Sequence, residues 1–195
     1  MGGTFQRLVD QGHEVHVAYQ TSGNIAVHDY DALRYAEFML EFSKNHGSIS
    51  AEEHNLYETV IKFLNNKNAA TEDIPEVRSI KGLIRRGEAR AGARFTGLKD
   101  DHIHFLDMPF YETGRTRKKP LGEKDVRLIS DLMEKVKPHQ VYAAGDLADP
   151  HGTHRVCLDA IFGAYKLLEK ESWIKDCWLW LYRGAWHEWA VHEIE

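Results

Sequence analysis

The segment QVYAAGDLADPHGTH, residues 140–154, is the most informative about the fold class, because it is predicted to pass from a strand through a loop into a helix. The mostly apolar residues 140–144 predict a strand, and the glycine, aspartate and proline residues after it predict a loop. Asp149 stands where an N-cap is expected and Pro150 at the first helical position, so a helix is predicted to follow. A strand that leads through a short loop into a helix is typical of α/β proteins.

Helices and strands are predicted to alternate along the rest of the chain. Further strands are predicted at 13–19, 102–106 and 177–182. Apolar periodicity predicts helices, the third of them capped by Ser50, at 4–11, 30–45, 51–65, 75–91, 122–135 and from 150 to about 170. The predicted class is therefore α/β with a mostly parallel sheet. The chain opens on a helix, whereas a doubly wound sheet normally opens on a strand.

Composition places the chain among ordinary globular proteins and disfavours several partners. Hydrophobic residues make up 43% of the 195 residues, and the formal net charge is -5. A nucleic-acid partner is not expected, because such partners favour a clustered basic surface. The short basic run at 115–119 is interpreted as a solvated loop rather than a phosphate-binding patch.

Neither a membrane anchor nor secretion is expected. The sequence contains no apolar run near the roughly 18 residues of a membrane span, and no signal peptide is recognised. Two cysteines, Cys157 and Cys177, cannot form a disulfide framework and are interpreted as small buried side chains. A reducing cytoplasmic location is therefore expected.

The candidate chemistry lies in the loop after the strand at 140–144. His151 and His154 are three residues apart and are predicted to share one face of the first helical turn. A neutral imidazole is a common zinc ligand, and Asp146 or Asp149 could orient these rings. The alternative, weighted equally, is two ordinary polar residues in an exposed turn. As ligands, four other histidines are disfavoured: His102, His104, His187 and His192.

Four segments, in order, resemble motifs of the PIG-L/LmbE-like family of zinc-dependent de-N-acetylases. Gly2-Gly3-Thr4, with the helix and strand that follow, resembles the segment just after that family's first motif. Thr21-Ser22-Gly23-Asn24 resembles its Thr-x-Gly-Glu loop. Arg85-Arg86-Gly87-Glu88-Ala89 resembles its Arg-x-x-Glu-Ala helix. His151-Gly152-Thr153-His154 resembles its His-Pro-Asp-His motif.

The resemblance implies a fold and a boundary. The fold is three-layer, Rossmann-like and LmbE-like, with a mostly parallel sheet. The family's first motif, Ala-His-Pro-Asp-Asp, supplies two zinc ligands and a general base, and it does not occur in this sequence. We therefore expect residues 1–195 to be a single de-N-acetylase-like domain, truncated at both ends and lacking its first strand.

The resemblance also assigns roles by position. His154 matches the family's third zinc ligand, and His151 matches the histidine that stabilises the oxyanion or protonates the leaving amine. Thr153 stands where the family has the aspartate that supports this histidine, so Asp149 or Asp146 is expected to take its place. Arg85 matches a position that faces substrate, with a helix-surface arginine as an equally weighted alternative.

The function implied is zinc-dependent removal of acetyl from an N-acetylglucosamine derivative, with an amino-sugar substrate. The sequence around His151 is similar to family members fused behind a glucosamine-6-phosphate deaminase/isomerase-like domain. Such a fused N-terminal domain is expected here, and an oligomer is compatible with it. With one zinc ligand and no base, this chain alone is expected to bind zinc weakly and to be inactive.

Two alternatives compete with the enzyme. The first is a non-catalytic structural or interaction domain of a deaminase/isomerase-like protein. The second, a dinucleotide-binding domain, is disfavoured because Gly2-Gly3 does not form the glycine-rich fingerprint after a strand. Four tryptophans near the C-terminus are expected to pack in strand and core rather than stack on a sugar: Trp178, Trp180, Trp186 and Trp189.

Overall fold

The computed structural model describes residues 2–47, 49–68, 70–115, 117–146 and 148–182. Its elements in chain order are α1 Gly2–Asp10, β1 Val17–Tyr19, α2 Asp29–His46, α3 Ala51–Asn66, α4 Pro75–Phe95, β2 Ile103–Phe105, α5 Glu123–Val136, β3 Gln140–Ala144, α6 Thr153–Leu167 and β4 Trp178–Tyr182. The predicted mixture of helices and strands is confirmed. Among the described residues, no helix has the length and apolarity needed to cross a membrane.

The chain divides into two compact units. The N-terminal unit contains Gly2–Phe105 and the short segment that begins at Gly114. Of the described residues, the C-terminal unit contains Leu106–Thr113, 117–146 and 148–182. Each unit has its own parallel strand pair, and each is described separately below.

Both strand pairs are parallel, as the alternation of helices and strands predicts. In the N-terminal unit β1 pairs with β2, and Val17 lies opposite Ile103. In the C-terminal unit β3 pairs with β4, with partners from Gln140 and Trp178 at one end to Ala144 and Tyr182 at the other. Helices lie between the paired strands along the chain, because a parallel connection needs a long crossover.

Local capping signals explain where α3 and α4 begin. The Ser50 side chain accepts from the Glu53 N–H and the Glu53 carboxylate accepts from the Ser50 N–H, which forms a capping box. The predicted cap at Ser50 is therefore confirmed. Pro75 occupies the first turn of α4, where its missing N–H leaves no hydrogen bond unmade.

The core of the N-terminal unit has two apolar clusters. One joins α2, α3 and α4 through buried residues that include Ala32, Val60 and Val77. The other packs the inner face of the β1–β2 pair against Ala93 of α4 and the apolar side of α1. One face of this two-stranded sheet is therefore buried in the core.

Four charged residues, Lys67, Lys81, Asp29 and Asp73, form a charge square beside the first cluster. Lys81 of α4 is only 3% exposed, and its Nζ lies 2.6 Å from Asp29 and 2.7 Å from Asp73. Lys67 contacts the same two carboxylates at 2.9 and 2.6 Å. Two cations alternate with two anions, so each buried charge faces opposite charges, as a buried ion pair requires. The square ties the start of α2 to α4.

The C-terminal unit is organised around α5 and α6. Gly163 of α6 lies against Val126 of α5, where an added Cβ would approach within 3.0 Å, so the two helices pack closely. Asp125 is 2% exposed, and its carboxylate accepts from the N–H groups of Phe110 and Gly122. One buried carboxylate thus fixes the loop before α5 and caps that helix.

For the two tryptophans that the structure describes, the predicted strand is confirmed but the predicted core packing is wrong. Trp178 and Trp180 of β4 are 67% and 45% exposed, so neither side chain is packed in a core. Trp186 and Trp189 lie outside the described residues, as do His187 and His192.

Candidate active site

The loop between β3 and α6 holds a carboxylate–imidazole pair. Asp146 is 1% exposed, and its Oδ2 lies 3.0 Å from Nδ1 of His154, whose side chain is 42% exposed. Because a carboxylate only accepts, Nδ1 of His154 carries the proton of this hydrogen bond. That tautomer leaves Nε2 as the nitrogen suited to bind a metal. The predicted proximity of Asp146 to this ring is confirmed.

Asp149 organises the same loop through the backbone. Its Oδ1 accepts from the N–H of His151 and its Oδ2 from the N–H of His154, both at 2.9 Å. Burial favours the neutral acid and raises the pKa of Asp149, but these hydrogen bonds and the nearby imidazoles outweigh it, so the pKa is lowered. The ionised carboxylate therefore holds both histidine backbones in place.

The predicted start of α6 is wrong. The helix begins at Thr153 rather than near Pro150, and its N-cap residue is Gly152, with a φ of 69°. The Gly152 N–H bonds to the carbonyl of Asp149, so the residues between them form a turn instead of helix. A left-handed backbone conformation suits glycine, which explains why the helix cannot begin earlier.

This correction changes the geometry of the two histidines. His151 lies in the turn before α6, whereas His154 is the second residue of the helix. The prediction that both share one face of the first helical turn is therefore wrong. Asp149 still serves the start of the helix, although from before the N-cap, and the two histidine backbones share this one carboxylate.

Lys118, in the loop before α5, interacts electrostatically with Asp149. Burial lowers the pKa of Lys118, while the negative charge of Asp149 works in the opposite direction. Lys118 Nζ also lies 4.4 Å from the centre of the Tyr111 ring. The sequence predicts a solvated loop at 115–119, and within it the side chain of Lys118 is partly buried. Only the fold of the loop before α5 reveals this.

The thiol of Cys157, in α6 next to this loop, is poorly reactive. Burial, together with the charges of Asp149 and Asp125, raises the pKa of Cys157 to about 12. Such a thiol remains protonated at neutral pH and is a weak nucleophile. Cys157 is therefore not a candidate for covalent catalysis. Both cysteines are partly rather than fully buried, so the interpretation of buried side chains is confirmed only in part.

Arg85 lies in the N-terminal unit, where two of the motif segments meet. Its side chain covers Gly23, at which an added Cβ would lie 3.1 Å from the Arg85 Nε. Gly23 has a φ of 68°, so both space and backbone conformation favour glycine there. Arg85 also pairs with Glu88 within α4, and its side chain is 49% exposed. The segment 21–24 thus packs on the arginine helix.

A family model for the PIG-L family, described as GlcNAc-PI de-N-acetylase, matches residues 1–165. The chain belongs to the PIG-L family. The matched range includes Arg85 and the whole loop from Asp146 to His154, so the family assignment covers the motif segments that pointed to it.

One curated relative is a longer protein, of which this chain matches a part. A glucosamine-6-phosphate deaminase-like protein of Bacteroides thetaiotaomicron is 50% identical over 200 residues. The alignment covers 100% of this chain and 30% of that protein. The chain therefore spans less than a third of the relative that it matches. No solved structure matches the chain significantly.

Proposed function

We propose that this chain carries part of the active site of a zinc-dependent de-N-acetylase within a longer parent protein. The observation that carries the proposal is the His154–Asp146 pair, held in a loop between a parallel strand and a helix in a chain of the PIG-L family. The substrate proposed is an N-acetylglucosamine derivative, in keeping with the family's description. The products are acetate and a free amino sugar.

The residues of the loop fit a zinc ligand set in part. His154 offers Nε2, and its other ring nitrogen is bound by a buried carboxylate, the arrangement found around zinc-binding histidines. At this loop the described residues supply one such imidazole, so we propose that the remaining ligands and the general base come from outside this chain. When bound, zinc would polarise the acetamide carbonyl and lower the pKa of water.

The other residues of the loop have separate proposed roles. His151 stabilises the oxyanion or gives a proton to the leaving amine, and Asp149 fixes its backbone. Asp149 is thus a positioning residue for both histidines. Arg85 is proposed to face the substrate, supported by its exposure and by its place against the segment 21–24.

The fold proposed for the complete domain is three-layer and Rossmann-like, with its first strand supplied from outside this chain. Each strand pair supports this. Within the described ranges β1 is bonded to β2 alone and β3 to β4 alone, so each pair keeps an edge that can accept another parallel strand. We further propose a cytoplasmic parent that carries a deaminase-like domain, as the name of the relative indicates.

The proposal is tested on the full-length parent. Acetate release from N-acetylglucosamine and its 6-phosphate is measured after chelator treatment, with and without added zinc. His154→Ala is expected to lower the zinc-restored rate by at least about 100-fold, because a ligand is lost. The matched control is His139→Ala, an exposed histidine just before β3, which should keep the rate of the unmodified protein.

The outcomes separate the enzyme from the alternative. If acetate release survives His154→Ala, the ligand assignment is wrong. If the parent deaminates glucosamine 6-phosphate but never releases acetate, the non-catalytic domain is supported instead.

A further inference from the structure

Three imidazoles lie together on one face of the β1–β2 pair. Because Val17 lies opposite Ile103 and Ala18 opposite His104, the parallel register places His16 beside His102. Side chains alternate along a strand, so His16, His102 and His104 project from the face opposite to Val17 and Ile103. Those two apolar residues are buried in the core, which leaves the histidines on the outer face.

The distances within this group are those of a compact ligand cluster. The rings of His16 and His102 stack at 4.0 Å between centres, and Nε2 of His16 lies 3.1 Å from Oε1 of Glu14. One ligand atom each from Glu14, His16 and His102 lies within 4.8 Å of the others. Ligand atoms around a tetrahedral zinc are about 3.4 Å apart, as bond lengths of about 2.0–2.1 Å require. Small side-chain shifts therefore suffice.

The hydrogen bonds of the histidine rings indicate which ring nitrogen of each could bind a metal. His102 Nδ1 lies 3.0 Å from the carbonyl oxygen of Val15, so Nδ1 carries the proton and Nε2 is the nitrogen suited to a metal. His16 Nδ1 lies 2.9 Å from His104 Nε2. Because a carboxylate only accepts, Nε2 of His16 carries the proton in its bond to Glu14, and Nδ1 accepts from Nε2 of His104. A metal ion at the cluster would replace that proton on Nε2, and Nδ1 of His16 would then donate to His104. His104 is then a positioning residue for His16.

A cavity adjoins the cluster. Its volume is about 390 Å³, and Glu14 and His102 lie in its wall together with Gly12, Gly97 and Lys99. The side chains of His16 and His102 are only 19% and 21% exposed, so the ring atoms are shielded while the cavity leaves access from one side. An ion at the cluster would keep a coordination position open to water or a small anion.

We infer that Glu14, His16 and His102 form a binding site for a divalent transition-metal ion, with zinc as the preferred occupant. Two imidazoles and a carboxylate are a ligand set that zinc accepts, whereas calcium and magnesium require mostly oxygen ligands. The site uses none of the residues assigned to deacetylation and does not depend on that proposal. It joins the segments that lead into β1 and β2, so the ion should also stabilise the N-terminal unit.

Cobalt(II) titration of this chain, without a histidine tag and after chelator treatment, tests the site. The unmodified chain should bind one equivalent with visible d–d absorption and release it to zinc. His16→Ala and His102→Ala should each weaken binding at least about 10-fold. The matched control His46→Ala removes an exposed histidine at the end of α2, and His154→Ala removes the candidate active-site ligand. Both should bind as the unmodified chain does.

Two results would overturn the inference. One is metal binding that is lost in His154→Ala and retained in His16→Ala; the other is no binding by the unmodified chain at 100-fold excess of metal. Should His16→Ala or His102→Ala fail to fold, X-ray absorption at the zinc edge of the unmodified chain decides. A shell with two imidazoles supports the site, and a shell with one or none refutes it.

Discussion

At the scale of single residues, Asp149 is the side chain whose charge matters most to the candidate loop. It is 3% exposed and accepts two backbone N–H bonds, from His151 and His154. Hydrogen bonds to a buried ionised group contribute about 1.5–3 kcal/mol each at most. Asp149→Asn keeps one acceptor and loses the charge, so we expect the free energy of unfolding to fall by about 2 kcal/mol at pH 7.

The pH dependence of this loss follows from the lowered pKa of Asp149. The contribution of the carboxylate is complete above its unfolded-state pKa of about 3.9 and is lost as pH falls through the lower folded-state value. Urea unfolding at pH 3–7 should therefore show a constant difference between the two proteins above about pH 5, which shrinks below about pH 4. Asp131→Asn, at an exposed position of α5, is the control. A difference that grows on acidification would contradict the assignment.

At the scale of elements, the sequence predicts what local signals determine. Ser50 and Pro75 mark the starts of α3 and α4, and β3 has its predicted bounds. The prediction for the start of α6 is wrong because Asp149, Pro150 and Gly152 fit either a helix cap or a turn. The left-handed backbone conformation of Gly152 distinguishes the two, and the sequence does not show it. β1 is shorter than predicted, because alternation predicts an extended chain and pairing with β2 determines how much of it is a strand.

The charge square is an element-scale feature that tests how the helices of the N-terminal unit are held. Lys81→Met keeps the length of the side chain but leaves two carboxylates with one cation, Lys67. Breaking a buried ion pair from one side typically costs about 3–5 kcal/mol, so we expect a loss of about 3 kcal/mol in urea unfolding. Lys62→Met, at an exposed site on α3, should change stability by less than about 0.5 kcal/mol. A loss below 1 kcal/mol for Lys81→Met would show that the square contributes little.

At the scale of the whole molecule, the two sets of histidines differ in how far the sequence could predict them. His151 and His154 are close in the chain and resemble a family motif, so the sequence alone predicts the loop as a candidate site. His16 and His104 are 88 residues apart and meet only through the register of β1 and β2. No local pattern carries that register. The sequence disfavours His102 and His104 as ligands because they lie near the start of their strand.

The same distinction gives a prediction about metal content. In this chain, zinc should be held by the cluster at His16, while His154 alone binds weakly for lack of partners. In the full-length parent, two equivalents are expected, because the proposed outside ligands complete the site at His154. Zinc per protein is counted by plasma mass spectrometry after reloading and dialysis. His154→Ala should remove one equivalent from the parent and none from this chain, and His16→Ala should remove one from both. If the parent holds one equivalent that His154→Ala removes, the cluster at His16 binds no zinc; if His154→Ala removes none, the deacetylase ligand is wrongly assigned.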